Sequence, residues 1–170
     1  MGSTTANASG VWAFTPSTAL ANGPHAFNVT ATDTAGNVSA VSNTYSVTID
    51  TTAPATPTVN TLATNDITPV LTGTAALFAG ESLTVGINGA IYSNVIVDSS
   101  GHWSIDTATA TVSSGVLGIF SSGVSYDVHV TATDAAGNAA SDTTNNELTI
   151  TTKSQYGVVI RIVLDANDDR

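Results

Sequence analysis

The chain has no cysteine, which excludes a disulfide framework and any thiolate metal site and leaves the fold to its core and to whatever ions it binds. It is nearly without cations as well. Lys153, Arg161 and Arg170 are the basic residues, and residues 1–152 contain neither Lys nor Arg. The same stretch carries ten carboxylates, from Asp33 to Glu147, which have no side-chain cation to pair with and would repel phosphate and anionic lipid. Nucleic acid and direct membrane contact are therefore poor expectations. Carboxylates gathered by folding without cations call for water or a metal, and oxygen-only ligands suit Ca²⁺. No apolar run approaches transmembrane length, and Met1-Gly2-Ser3 opens no leader of the basic-then-apolar kind, so any export signal is expected to lie outside these residues.

What is present points to strands. Thr, Ser, Val, Ala, Gly and Asn dominate, and 42% of residues are hydrophobic, enough for a packed core. Such a mixture favours pleated strands and tight turns over helices. An all-β class follows.

The chain also repeats itself. Phe27-Asn-Val-Thr-Ala-Thr-Asp33-Thr-Ala-Gly36-Asn37 recurs as Val128-His-Val-Thr-Ala-Thr-Asp134-Ala-Ala-Gly137-Asn138, and the same spacing carries Val47-Thr-Ile49 onto Leu148-Thr-Ile150. Upstream, Ser9-Gly10-Val-Trp12 matches Ser100-Gly101-His-Trp103 with a shorter spacing, which places an insertion of about ten residues in the second copy around Val112 to Ser121. Residues 1–50 thus correspond to the trailing half of a unit, residues 51–152 to a complete one, and residues 153–170 to a tail that departs from the repeat. The boundary is Asp50-Thr-Thr-Ala-Pro54-Ala-Thr-Pro57, whose prolines stiffen and extend the connection.

Within the complete unit, turn-bounded runs predict strands at 56–61, 68–74, 82–87, 90–97, 102–106, 125–133 and 146–152. Asn88-Gly89 supplies the left-handed pair of a two-residue hairpin. In the run ending at Thr133, Tyr126, Val128, Val130 and Ala132 alternate with Asp127, His129 and Thr131, so the first set should face a core shared with Leu83 and Trp103. An immunoglobulin-like Greek-key sandwich in tandem repeats is the expected architecture.

Taken together, Gly10-Val-Trp12-Ala-Phe14, Ala21-Asn-Gly23-Pro-His25-Ala-Phe27, Thr32-Asp33-Thr-Ala-Gly36-Asn37 and Asp50-Thr-Thr-Ala-Pro54 resemble the bacterial immunoglobulin-like (Big) repeats of giant type I secreted RTX-type adhesins and biofilm-associated proteins. The resemblance covers about residues 9–152. It implies an extracellular structural extender module at the bacterial cell surface, non-catalytic, whose partners are neighbouring modules of the same chain and whose junctions are stiffened by calcium.

The sandwich topology itself sets the second and sixth connections at the pole where the chain enters, so Glu81 and Asp134 to Asn138 should approach Asp50 to Thr52. Asp134 and Asn138, with Asp50 and Glu81, are the candidate calcium ligands there, and Asp33 and Asn37 are their counterparts in the first repeat. The alternative is that Asp and Asn merely shape their own turn through side-chain to backbone bonds. In the tail, Asp165-Ala-Asn167-Asp168-Asp169 resembles the Asp-x-Asn-Asp linker of cadherin-type modules, which makes Asp165, Asn167 and Asp168 further candidates. An incomplete EF-hand start and a simply solvated terminus compete with that reading.

Catalysis finds little support. His25, His102 and His129 lack a nucleophile-elbow pattern around them, and Asp98 and Asp106 flank a strand beside turns, where solvated acids are common. Trp12 and Trp103 hold the same repeat position and are expected in the core. The rival readings are an adhesive module that contacts a host or biofilm glycan or protein through the inserted segment 112–121, with Leu117, Ile119 and Phe120 exposed, and an accessory domain of a secreted polysaccharide hydrolase.

Overall fold

The computed structural model describes residues 2–152, and the strand expected at 158–164 lies outside them. Every helix or strand among the described residues is a strand. In the first repeat two form, β1 (Gly23–Phe27) and β2 (Tyr45–Ile49), antiparallel with Gly23 opposite Ile49 and Phe27 opposite Tyr45.

The second repeat holds the others. Of the strand expected at 56–61 only β3 (Thr58–Val59) forms, and β4 (Leu62–Thr64) lies just beyond it, followed by β5 (Val70–Thr74) and β6 (Ser82–Ile87). Next come β7 (Ala90–Ser93), β8 (His102–Asp106) and β9 (Ser114–Gly115). The run 125–133 is split into β10 (Ser125–Tyr126) and β11 (Val128–Thr133), and β12 (Ala139–Ser141) and β13 (Leu148–Ile150) complete the unit.

One sheet has the order β3-β5-β8 and the facing one β12-β11-β6-β7-β9, while β13 lies between β10 and a parallel β4. The entering strand therefore changes sheets between Val59 and Leu62. This is an immunoglobulin-like sandwich. Period-two alternation builds its core: Leu83, Val85 and Ile87 on β6 stand opposite Ala132, Val130 and Val128 on β11, all buried. Asn88 and Gly89, with φ of 45° and 88°, close the β6–β7 hairpin. Both central residues take the left-handed region that such a turn requires.

Trp103 ties three strands of the smaller sheet together. It pairs with Gly73 across β5–β8, and its Nε1 donates to the Thr58 carbonyl on β3 at 3.1 Å. A Cβ on Gly73 would fall 2.6 Å from the indole ring, so the missing side chain is what lets the ring lie across β5.

The strand expected at 125–133 is interrupted because two carboxylates replace part of its ladder. Asp127 Oδ1 accepts the Asn146 N–H at 2.6 Å, and Glu147 Oε2 accepts the Val128 N–H at 2.9 Å. Asn146 sits at φ 63° and Glu147 is buried. In the first repeat Ala26 and Ser46 hold the equivalent positions, and there β1 and β2 pair without a break.

Two expectations need correction. Phe120 is buried and Leu117 half-buried, because the inserted segment is not a free loop: β9 pairs with the edge of β7, and the Phe120 ring meets Tyr126 edge-on at 5.0 Å. Ile119 does remain exposed. Trp12 is 51% exposed whereas Trp103 is 1% exposed. Trp103 is covered because β8 pairs with β5, and among the described residues no strand pairs over Trp12 in that way.

Gly73→Ala should lower unfolding stability by about 1–3 kcal/mol through overpacking, and urea denaturation followed by tryptophan fluorescence will measure it. Gly86→Ala, whose added Cβ meets nothing nearer than 3.8 Å, should change it little.

Candidate functional site at the junction of the repeats

The candidate residues are positioned by a five-residue turn that occurs four times among the described residues. In each, the side-chain oxygen of the first residue accepts the N–H of the third and fifth, and the fourth is a glycine in the left-handed region. Asp134 Oδ1 accepts from Ala136 at 2.9 Å and Asn138 at 2.8 Å, and Asp33 Oδ1 accepts from Ala35 and Asn37 at the same two distances. Asp98 does likewise with Ser100 and His102, and Asn7 with Ser9 and Val11. Gly10, Gly36, Gly101 and Gly137 have φ between 78° and 92°, which a side chain would strain.

In the two copies of the strongest repeat motif the fifth residue adds a bond of its own. Asn138 Nδ2 donates to Asp134 Oδ2, and Asn37 Nδ2 to Asp33 Oδ2, each at 2.8 Å. These donors favour the charged form of the acid, so the carboxyls of Asp134 and Asp33 lie below their ordinary 3.8, chiefly through the Asn side chain. Asp98 is lowered too, first by the His102 N–H and then by that of Ser100. The turn-shaping role weighed for Asp and Asn is thus realised in full.

The structure also brings the junction residues round one hollow. Asp50, Glu81 and Asp134 line it, together with Pro54, Phe78 and Gly80. Gly80 in the β5–β6 connection lies against Ala135 in the β11–β12 turn. Each carboxylate there serves its own loop: Asp50 Oδ1 accepts the Thr52 N–H at 3.0 Å, and Glu81 Oε2 accepts the Phe78 N–H at 2.9 Å. Among the described residues no three of His, Asp and Glu stand close enough together to hold a metal ion. Asp33 and Asn37 lie in the corresponding turn of the first repeat, apart from this hollow, and Asp165, Asn167 and Asp168 fall outside the described residues.

Two contacts hold the connection between the repeats. Asn138 Nδ2 also donates to the Asp50 carbonyl at 3.1 Å. From the other side, Asn22 Oδ1 accepts the Thr51 N–H at 3.2 Å and hydroxyl at 2.9 Å, and Asn22 Nδ2 donates to Thr52 Oγ1 at 2.9 Å. Asn22 escaped the sequence reading because a turn asparagine before glycine is so common. Pro54 and Pro57 are buried just beyond.

A second hollow, on the β3-β5-β8 sheet, is lined by Asn60, Thr72, Asp98, His102 and Ser104. His102 Nδ1 is 3.7 Å from Asp98 Oδ1, but both backbones are committed to the turn they share. Tyr126 Oη accepts the Ser121 N–H at 2.7 Å, and His25, at the equivalent repeat position, donates from Nε2 to the Ala21 carbonyl at 2.7 Å. Both rings brace the corner before their strand, as the tyrosine corner of such sandwiches does.

The model of the family described as bacterial Ig-like domain matches residues 1–51. That match supports a bacterial Ig-like repeat over those residues. No curated protein matches the chain.

The three lowered acids set a pH dependence. A carboxyl whose folded pKa lies below its unfolded value stabilises the fold above that unfolded value, and the contribution is lost as pH falls through the lowered one. The melting midpoint should therefore be flat above its ordinary 3.8 and fall below it. Differential scanning calorimetry should show a shallower fall for Asp134→Asn, which no longer titrates there.

Proposed function

We propose that this chain is a non-catalytic extender segment of a bacterial cell-surface adhesin, working outside the cell, in which successive repeats are held in line at their junctions and Ca²⁺ stiffens them further. One observation carries the reading. Residues 50–52 are clamped from both sides, by Asn22 of the leading repeat and Asn138 of the following one, and the connection then runs into two buried prolines. A linker fixed at its carbonyl, its amide and its hydroxyls transmits orientation from one repeat to the next, whereas a free polar linker would not. The bacterial Ig-like match over residues 1–51 supports a structural or adhesive surface module of the same kind.

Calcium rests on donor chemistry. Asp50, Glu81 and Asp134 are among the residues that line the hollow, and residues 1–152 supply no Lys or Arg to neutralise them. An ion bound there would draw Glu81 and Asp50 away from the N–H groups they now accept, so binding would reorganise the pole as well as fill it.

The inserted segment is spent mainly on covering the β7 edge. An adhesive role toward a host or biofilm glycan or protein would have Val116 and Ile119, 80% and 88% exposed, to draw on.

Two measurements test the proposal separately. Spin labels on the two repeats should give a narrow distance distribution by pulsed electron resonance that broadens in Asn22→Ala/Asn138→Ala; an equally broad distribution in the parent chain would remove the extender reading. A melt in calcium at about 100 times its Kd against chelator should differ by about 2.7 kcal/mol, and the difference should vanish in Asp134→Ala. Superimposed melts would remove the ion and leave the clamp.

A further inference from the structure

The second repeat differs from the first at positions that its sandwich does not use. Asn7-Ala-Ser9-Gly10-Val11-Trp12-Ala13-Phe14 aligns with Asp98-Ser-Ser100-Gly101-His102-Trp103-Ser104-Ile105. The turn is kept, with the same two amides donated to the first side chain in each copy, and so is the tryptophan. The residues on either side of the tryptophan change, from Val11 and Ala13 to His102 and Ser104. Because Trp103 and Ile105 are buried, strand alternation puts His102 and Ser104 on the outer face of β8, and both are exposed. The repeat accepts valine and alanine at these places, so an imidazole and a hydroxyl are not what the core requires.

The changed residues border a hollow of about 460 Å³ on the β3-β5-β8 sheet, within the size range of small-molecule sites. Thr72 on β5 stands opposite Ser104 on β8, and Asn60 Nδ2 donates to Thr72 Oγ1 at 3.1 Å. That bond fixes what each group still offers: Thr72 has its hydroxyl proton to donate and Asn60 has Oδ1 to accept. Asp98 Oδ1 takes the Ser100 and His102 amides at 2.8 and 2.9 Å, which leaves Oδ2 as a second acceptor. His102 Nδ1 lies 3.7 Å from Asp98 Oδ1, beyond hydrogen-bond distance, so the ring is not tied to that acid. Ile96, 84% exposed, adds an aliphatic side to the hollow.

We infer that this hollow binds a neutral saccharide, with ring hydroxyls donating to Asn60 and Asp98 and accepting from Thr72 and Ser104, and a C–H face against Ile96. Donors and acceptors in alternation match a run of ring hydroxyls, each of which is both. Phosphate, sulfate and uronate would meet the Asp98 carboxylate in a stretch without Lys or Arg. A metal ion would find one carboxylate and one imidazole, and an apolar ligand would bury the polar groups unpaired. The hollow shares no residue with the one at the junction, and its ligand depends neither on calcium nor on the clamp. A few hydrogen bonds on an open face give a dissociation constant on the order of 1 mM.

The probes are the methyl glycosides of glucose, galactose, mannose and N-acetylglucosamine, titrated into the isotope-labelled full chain and followed by NMR, with methyl glucuronide as the charged comparison. At least one neutral glycoside should move the amides of Asn60, Thr72 and Ser104 saturably, and the glucuronide should bind at least about fivefold more weakly. Thr72→Val should weaken the binding at least about fivefold. So should His102→Val/Ser104→Ala, which gives the second repeat the residues of the first, and both variants should keep the parent circular dichroism. No saturable shift with any of the four, shifts centred on residues 112–121, a glucuronide that binds more tightly, or binding indifferent to both variants would each overturn the inference.

Discussion

A β-strand leaves its amides and carbonyls pointing sideways, so each strand exists only where a second segment completes it. That constraint governs both repeats. Thr-Ala-Thr-Asp is written at 30–33 and again at 131–134, but it lies in a strand along 131–133 and not along 30–32, save for the bridge at Thr32. Sequence propensity is the same in both places, and the difference is β6. The ladder that does form in the first repeat, β1 with β2, has both of its strands within the described residues. Burial follows pairing, which is why the indole of Trp103 is enclosed and that of Trp12 lies open.

The second constraint is the economy of the acids. A chain with almost no cations must place its carboxylates where something else satisfies them. Asp33, Asp98 and Asp134 solve this with one device, a side-chain oxygen facing two backbone N–H groups of its own loop. Glu147 is placed differently, within the core, where its Oε2 takes a place in the strand ladder and its Oε1 is left without a hydrogen-bond partner. The repeat motif that looks like a ligand set is therefore first a turn, and its asparagine is what reaches beyond the turn to Asp50. An ion at that pole would compete with hydrogen bonds already made, in return for neutralising three acids that face one hollow.

The junction is hydrogen-bonded to the repeat on either side of it. The Asp50 carbonyl, the Thr51 amide and two hydroxyls are all engaged, and the prolines that follow restrict φ and are buried. The inserted segment blunts the open edge of β7 with β9 and seats Phe120 against the corner ring of Tyr126.

The sequence alone determined what depends on local chemistry. Period-two alternation located β6 and β8 to the residue, Asn88-Gly89 announced its hairpin, and self-comparison revealed the two repeats and the insertion. The convergence of Asp50, Glu81 and Asp134 at one pole was also legible, because Greek-key topology decides which connections share an end. Only the tertiary structure decided which copies of the same words become strand, which tryptophan is buried, that Glu147 belongs to a ladder, and that Asn22 and Asn138 close on one linker. Those outcomes depend on a partner distant in the chain, and a local pattern carries no information about whether that partner is there.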